Sequence, residues 1–157
     1  MKSDQPNLDG VALPSAVELR SLFRRHELRW TRQRAVVYRT LLRNRSHPTV
    51  DELYREVLAD DPAVSLATVY NTLEALQAAG LCVRLAGGGT NCARFDADLT
   101  QHVHLALDDG QVLDLPAELA HRIVESLQGE LKSEIEKRLG GPVRRLSLQI
   151  VAERGGR

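Results

Sequence analysis

The stretch Val64 to Leu81, VSLATVYNTLEALQAAGL, narrows the possible folds more than any other part of the chain. Ser65 is a strong helix N-cap and Gly80 falls where a C′ glycine belongs, so both helix ends carry residues that satisfy orphan backbone groups. At 100° per residue, Leu66, Val69, Leu73 and Leu76 form an apolar stripe, while Ala67, Thr68, Asn71, Ala75 and Ala78 form a small, polar opposite face. The first carboxylate, Glu74, lies well down the helix, which leaves the positive end of the dipole open to a phosphate. Such a face suits a DNA major groove. Asn71 can pair bidentately with adenine, and the methyls of Ala67 and Thr68 can meet thymine methyls. Tyr70, on the flank, can reach backbone phosphate. A plain amphipathic surface helix carries the same pattern, so the rest of the chain has to decide.

A chain of 157 residues holds one ordinary domain or two small ones. With 43% hydrophobic and 27% charged residues it is neither disordered nor membrane-like. The net charge is zero, but its distribution is uneven. Arg20, Arg24, Arg25, Arg29, Arg32, Arg34, Arg39, Arg43 and Arg45 are opposed within their span only by Glu27, whereas the chain after Asp96 is mildly acidic. No run is apolar enough to cross a bilayer, and the N-terminal MKSDQPNLDG lacks a signal-peptide core. A cytoplasmic protein with no membrane partner is expected.

The elements before Val64 follow from capping signals. Met1 to Pro14 reads as a flexible arm. Ser15 and Glu18 form a capping box that opens a helix running to about Arg25, with Val17, Leu19, Leu22 and Phe23 as its apolar side. Trp30 is expected to anchor the junction to a second helix, which starts at Thr31, carries Arg32 and Arg34 near its N-terminus, and packs through Val36, Val37, Leu41 and Leu42. Thr49 and Glu52 make another capping box, with Leu53, Tyr54, Val57 and Leu58 as the stripe until Asp60-Asp61-Pro62 stops it. After the Val64–Leu81 helix, Leu81 to Leu85 and Cys92 to Phe95 alternate as a hairpin around Gly87 to Asn91. Placing Ala86 opposite Cys92 puts Cys82 opposite Asp96, too far from Cys92 for a disulfide, so the two cysteines are expected to be packing residues. Helices followed by a flanking hairpin is the winged-helix order, with the last helix entering the groove.

Past Asp96 the pattern changes. His102 to Leu105 and Gln111 to Leu115 read as short strands joined by Asp108-Asp109-Gly110. One helix is expected from about Ala117 to Leu139, with Leu119, Ile123, Leu127, Leu131 and Ile135 spaced by four. A last strand from Val143 to Val151 alternates Leu146, Leu148 and Ile150 with Ser147 and Gln149, and residues 153–157 form a tail. A small sheet with one helix leaves a face and an edge uncovered, and a homodimer would bury them.

The chemistry concentrates in His47, Asp96, His102, His104 and Asp114. His102 and His104 are two apart on a strand and project from one side. Three imidazoles and two carboxylates make a nitrogen and oxygen shell suited to divalent iron, manganese or zinc. Ordinary buried or surface histidines remain an alternative for the pair taken alone.

His47-Pro48-Thr49-Val50-Asp51-Glu52-Leu53-Tyr54, Ser65-Leu66-Ala67-Thr68-Val69-Tyr70-Asn71-Thr72-Leu73, Ala79-Gly80-Leu81, Arg94-Phe95-Asp96 and His102-Val103-His104, in this order, closely resemble the ferric uptake regulator family of bacterial metal-dependent repressors. The resemblance runs from about Leu19 to Val151. It implies an α+β protein: an N-terminal winged helix-turn-helix domain, here residues 15–96, joined to a C-terminal α/β dimerisation and metal-sensing domain, here residues 97–152. It also implies a regulatory metal at the hinge, whose matching positions are His47, Asp96, His102, His104 and Asp114. The expected DNA-facing set is Arg32, Arg34, Ser65, Ala67, Thr68, Tyr70 and Asn71. Tyr70-Asn71 and an aspartate at 114 are more similar to the peroxide-sensing branch.

The departures are informative. Many members carry two CxxC pairs that hold a structural zinc. Here Leu105 to Gly110 replaces the first with a loop one residue shorter, and nothing replaces the second, so a four-cysteine structural zinc is excluded. The family's additional site often takes a histidine from the last strand, where Leu146 or its neighbours stand here, so one divalent metal per subunit (manganese or iron, with zinc as a third candidate) is expected. His47 belongs to the groove-reading half and the other four to the hinge or dimer half, so one cation can tie the two together. Shifting a two-state equilibrium from 1:99 to 99:1 needs about 5.5 kcal/mol of differential affinity. Recognition helices must reach successive major grooves about 34 Å apart, which makes specific binding sensitive to hinge angle. A repressor of a palindromic, A/T-rich operator is the expectation. An enzyme is not expected, because five protein ligands leave few open positions and no Ser, Cys or Lys constellation suggests covalent catalysis. A winged-helix regulator that no longer needs metal stays as the alternative, motivated by the missing cysteines.

Overall fold

The computed structural model describes residues 13–87, 92–100, 102–127, 129–143 and 147–153. Four helices come first: α1 (Ala16–Arg25), α2 (Arg32–Arg43), α3 (Val50–Asp60) and α4 (Leu66–Ala78). Their starts lie where the capping residues put them. Ser15 and Thr49 each cap within a reciprocal box with Glu18 and Glu52, and the Thr31 and Ser65 side chains accept from the amides of Arg34 and Thr68. Helix α4 ends through Gly80, whose φ of +70° places it in the left-handed region glycine favours.

The four helices share one core, built on Leu19, Phe23, Val37, Leu41, Leu53, Val57, Val69, Leu73 and Leu76. Thr72, which the apolar stripe did not include, is buried beside Leu73, and Leu66 is only half-buried. Val17, expected on the apolar side of α1, is instead 76% exposed. Two residues correspond to about 200° around a helix, so Val17 points away from the face that Leu19 and Phe23 bury. Trp30 is half-buried against the core, and the Arg20 guanidinium lies 4.1 Å from its ring centroid.

The hairpin after α4 pairs β1 (Val83–Leu85) with β2 (Arg94–Asp96). Its register differs by one residue from the sequence expectation: Val83, not Cys82, faces Asp96. Burial is the reason, since Cys82 is drawn under α4, with its thiol directed at the Leu73 carbonyl and pushed up to about 12 by desolvation. Cys92 is exposed, and both cysteines are free. Most of the expected turn, residues 88–91, lies outside the described residues, as do residues 1–12 of the expected arm and 154–157 of the tail.

A second sheet has the order β4 (Val112–Asp114), β3 (Val103–Leu107), β5 (Leu148–Ala152), antiparallel on one side of β3 and parallel on the other. The strand expected from Val143 is seen from Leu148, residues 144–146 lying outside the described set. Ile150 is 38% exposed instead of facing a core. The helix expected over Ala117 to Leu139 is two helices, α5 (Ala117–Leu127) and α6 (Glu130–Leu139). Gly129, at φ +94° and ψ −124°, occupies a conformation closed to ordinary residues, so the four-residue apolar spacing continues through a break that a periodicity argument cannot see. On α5 the buried residues are Ala120 and Val124, which pack with Val103. Leu119, Leu131 and Ile135 of the expected stripe are exposed in the single chain. No helix among the described residues is long and apolar enough to cross a membrane.

A small apolar cluster joins the two sheets, with Leu85 of β1 against Ala106 of β3 and Val112 of β4. The Gln149 side chain donates to the Ala86 carbonyl nearby. The junction between the hairpin and the three-stranded sheet is therefore packed, and the polar cluster described next lies along it.

Candidate metal centre

His47 sits just before α3, in a backbone conformation with φ +51°. Non-glycine residues rarely enter this region, and a residue preceding proline is normally driven to extended angles. The strain is held from several sides. The Phe95 amide donates to the Pro48 carbonyl (3.0 Å), Thr49 bridges to Arg94, and an Arg94 Nη donates to the His47 carbonyl (2.9 Å). The imidazole is thereby fixed, 3% exposed, pointing at the three-stranded sheet.

His102 immediately precedes β3 and His104 is its second residue, their rings meeting on one side, and Asp114 stands directly opposite His104 in the β3/β4 ladder. The shortened loop at Leu105 to Gly110 leaves this pairing intact, because Asp108-Asp109-Gly110 closes as a tight turn with Gly110 N donating to Leu107 O. Asp96 reaches the same point from the end of β2. His47, Asp96, His102 and His104 each offer a ligand atom within 4.8 Å of all the others. The Asp114 Oδ1 is 3.1 Å from His47 Nε2 and 3.5 Å from His102 Nε2, and Asp96 Oδ2 is 3.0 Å from His102 Nε2 and 3.1 Å from His104 Nε2. All five residues singled out from the sequence come together.

The donor set suits a divalent cation. His47 Nδ1 donates to the Val112 carbonyl (3.1 Å) and His102 Nδ1 to the Thr100 carbonyl (2.9 Å), which fixes each tautomer and turns both Nε2 lone pairs inward in the neutral rings. His102 Nε2 and His104 Nε2 are only 2.8 Å apart, and His104 Nδ1 is buried with no hydrogen-bond partner. As neutral rings the two can share one proton, His104 Nε2–H donating to the His102 Nε2 lone pair, and with that proton removed both nitrogens can converge on a common cation.

Electrostatics agree. Burial opposes ionisation of Asp96, but the hydrogen bonds from His102 and His104, the Asp98 amide and the charge of His47 outweigh it and hold the carboxyl well below its usual range. Asp114 is lowered in the same way, burial being overcome chiefly by His47. His102 is raised to about 9, first by its hydrogen bond to Asp96. For His47 burial favours the neutral ring, yet the hydrogen bond and charge of Asp114, the charge of Asp96 and the Val112 carbonyl raise it overall. The raised proton affinities of His47 and His102 answer the buried Asp96 carboxylate and the more exposed Asp114 carboxylate, which a cation would neutralise in a proton's place.

The residues expected to face DNA are differently disposed. Ala67, Tyr70 and Asn71 are exposed on α4, and Thr68 is half-buried. The Ser65 hydroxyl is engaged with Thr68 Oγ1 (2.9 Å) and the Thr68 amide. Arg32 is exposed and approaches Asp61 at 3.5 Å, while Arg34 turns back, half-buried, to the Arg29 carbonyl. Two participants around the centre escaped sequence reasoning as individuals: Arg94, noted only as part of a motif, and the Val112 carbonyl, which no side-chain pattern can reveal.

Comparison with known proteins places these observations. The Ferric uptake regulator family matches residues 25–138. Over 88 residues the chain is 34% identical to the peroxide-responsive repressor PerR of Staphylococcus aureus, an overlap of 55% of this chain and 59% of that protein, so the match spans well under two thirds of that relative. Among solved structures it is similar to the ferric uptake regulator of Pseudomonas aeruginosa with manganese (TM-score 0.66, 28% identity, 87% of this chain and 98% of that one). It is also similar to the peroxide stress regulator of Campylobacter jejuni (TM-score 0.63, 31% identity, 88% and 98%).

Proposed function

The chain belongs to the ferric uptake regulator family, and from that premise we propose that it is a metal-responsive transcriptional repressor of metal homeostasis or the peroxide response, acting in the cytoplasm. It is not an enzyme. Regulators of this family bind DNA and act as dimers. Residues 15–96 form the DNA-reading half, and residues 97–152 the dimerising and metal-sensing half.

The observation that carries this reading is the meeting of His47, anchored at the start of α3, with His104 and Asp114, paired across β3 and β4. The five residues His47, Asp96, His102, His104 and Asp114 hold one divalent cation per subunit. A cation held there would supply concentrated positive charge to neutralise Asp96 and Asp114, with His47, His102 and His104 as its nitrogen donors. His47 brings α3 to that point. Helices α3 and α4 share a core through Leu53, Val57, Val69 and Leu73, so α4 moves with His47 as one body. Fixing His47 against β3 and β4 then fixes how the two α4 helices of a dimer are spaced. Successive major grooves demand about 34 Å, and an unfixed junction presents them at other spacings.

A nitrogen and oxygen shell without thiolate fits manganese or iron, and zinc is accepted on affinity grounds. With two cysteines in the whole chain, no subunit can assemble a four-cysteine structural zinc. The identity to a peroxide-responsive repressor supports a place in the peroxide and manganese-iron branch. Asn71, Ala67 and Thr68 read base edges, while Ser65, Tyr70, Arg32 and Arg34 meet the backbone of a palindromic, A/T-rich operator.

The test begins with an A/T-rich palindromic duplex enriched from a random pool by manganese-loaded protein. Chelated protein is titrated with Mn2+, Fe2+ and Zn2+ while duplex binding is followed, and peroxide is then added to the iron form. Metal-dependent binding is expected; tight binding that persists after chelation overturns the reading.

A further inference from the structure

The Arg94 side chain touches the His47-Pro48-Thr49 segment, the first turn of α3 and the turn between β3 and β4 at once. Its Nε donates to the Gly110 carbonyl (2.6 Å), in the turn between β3 and β4. One Nη donates both to the His47 carbonyl (2.9 Å) and to Glu52 Oε2 (3.0 Å). Glu52 Oε2 also accepts from the Thr49 amide, closing the capping box of α3. The guanidinium is nearly buried, its side chain 13% exposed, between partners that satisfy it. Only a planar fork reaches three acceptors on three segments; a lysine ammonium, a single point of charge, cannot reproduce those directions.

The placement of its partners carries the argument. The His47 carbonyl belongs to the residue held at φ +51°, so the Arg94 contact constrains the strained backbone that aims the imidazole. Gly110 lies two residues before Val112, whose carbonyl orients His47 Nδ1, and on the same hairpin as Asp114. One guanidinium therefore holds both sides of the junction at which the imidazole and its carboxylate partner meet.

We propose that Arg94 is a positioning residue that presets His47 for the cation and links the filled centre to α3. This rests on the metal-binding reading of the centre. Wild type, Arg94→Lys, His47→Ala and the double variant are each titrated with Mn2+ calorimetrically, with urea unfolding of each ion-free chain alongside. Arg94→Lys is expected to weaken Mn2+ binding about 10–100-fold, the usual consequence of losing an outer-shell partner. In the His47→Ala background the same change is expected to have less than about 3-fold effect, since Arg94 acts through His47. An equal effect in both backgrounds, or lowered stability with unchanged Mn2+ affinity, overturns the proposal. Should Arg94→Lys fail to fold, the wild-type Arg94 Nε–H resonance provides a second measurement. Its exchange with water is expected to slow at least several-fold on adding Zn2+, and exchange indifferent to Zn2+ overturns the link. Wild type that binds neither Mn2+ nor Zn2+ overturns the metal-binding reading itself and this inference with it.

Discussion

His47 Nε2 and Asp114 Oδ1 lie 3.1 Å apart across the junction between the helical half and the three-stranded sheet. A base from the segment entering α3 and an acid from β4 thus meet directly, and their contact exists only when the two halves are docked.

His47→Ala removes the donor contributed by the segment entering α3. Its effect on Mn2+ affinity should exceed the roughly 10–100-fold typical of an outer-shell loss. Duplex binding should no longer respond to Mn2+, while the far-ultraviolet circular dichroism stays that of a folded chain. Calorimetry and gel shift read the two effects, and metal-dependent duplex binding that survives the substitution contradicts the clamp.

Asp114→Asn keeps the shape of the side chain and deletes its charge. Asp114 contributes the hydrogen bond and the leading charge that raise His47 against burial, so in the ion-free chain the His47 pKa should fall. Imidazole NMR titration measures it. An unchanged value would mean that Asp96 and the Val112 carbonyl alone set the ring.

The ion-free chain should show a characteristic pH profile. His102, raised to about 9, contributes stability that is complete below the free-imidazole value of about 6.5 and is lost as pH rises through 9. Asp96, depressed, contributes stability that is present above about pH 4 and is lost as pH falls. Thermal midpoints measured with a chelator should therefore decline from pH 6.5 to 9. Mn2+ affinity should climb over the same interval, because the ligands must shed protons to bind. A midpoint that rises over that interval would refute the proton-for-cation picture.

Gly80→Ala tests the α4 terminus separately. An added Cβ at Gly80 meets nothing within 4 Å, so the cost is conformational only, about 1–2 kcal/mol for a left-handed non-glycine residue. Gly80→Asn should lose less, since asparagine tolerates that region better. Urea unfolding distinguishes them, and equal losses would point to a steric cause.

Local signals read well from the sequence because their physics is local. The four N-caps lie at Ser15, Thr31, Thr49 and Ser65, as a side-chain oxygen three residues before a waiting amide requires. The Asp108-Asp109-Gly110 turn was legible for the same reason. Signals that depend on more than one element read poorly. The hairpin register shifted by one because burial of Cys82 under α4 outweighed the alternation of the strand itself. The long apolar spacing after Ala117 concealed the break at Gly129, since a glycine within a periodic run is compatible with either outcome until its φ is known.

The sequence alone determined the donor types on offer, because nitrogen and oxygen donors are a property of His47, Asp96, His102, His104 and Asp114 whatever the fold. It also determined that thiolates could not take part in numbers. Only the tertiary structure decided that these five meet, and which of their nitrogens face inward. That follows from backbone carbonyls at Val112 and Thr100 and from the Arg94 fork, contacts between segments far apart in the chain. No local pattern encodes them, since such contacts form only when the packed core brings the segments together.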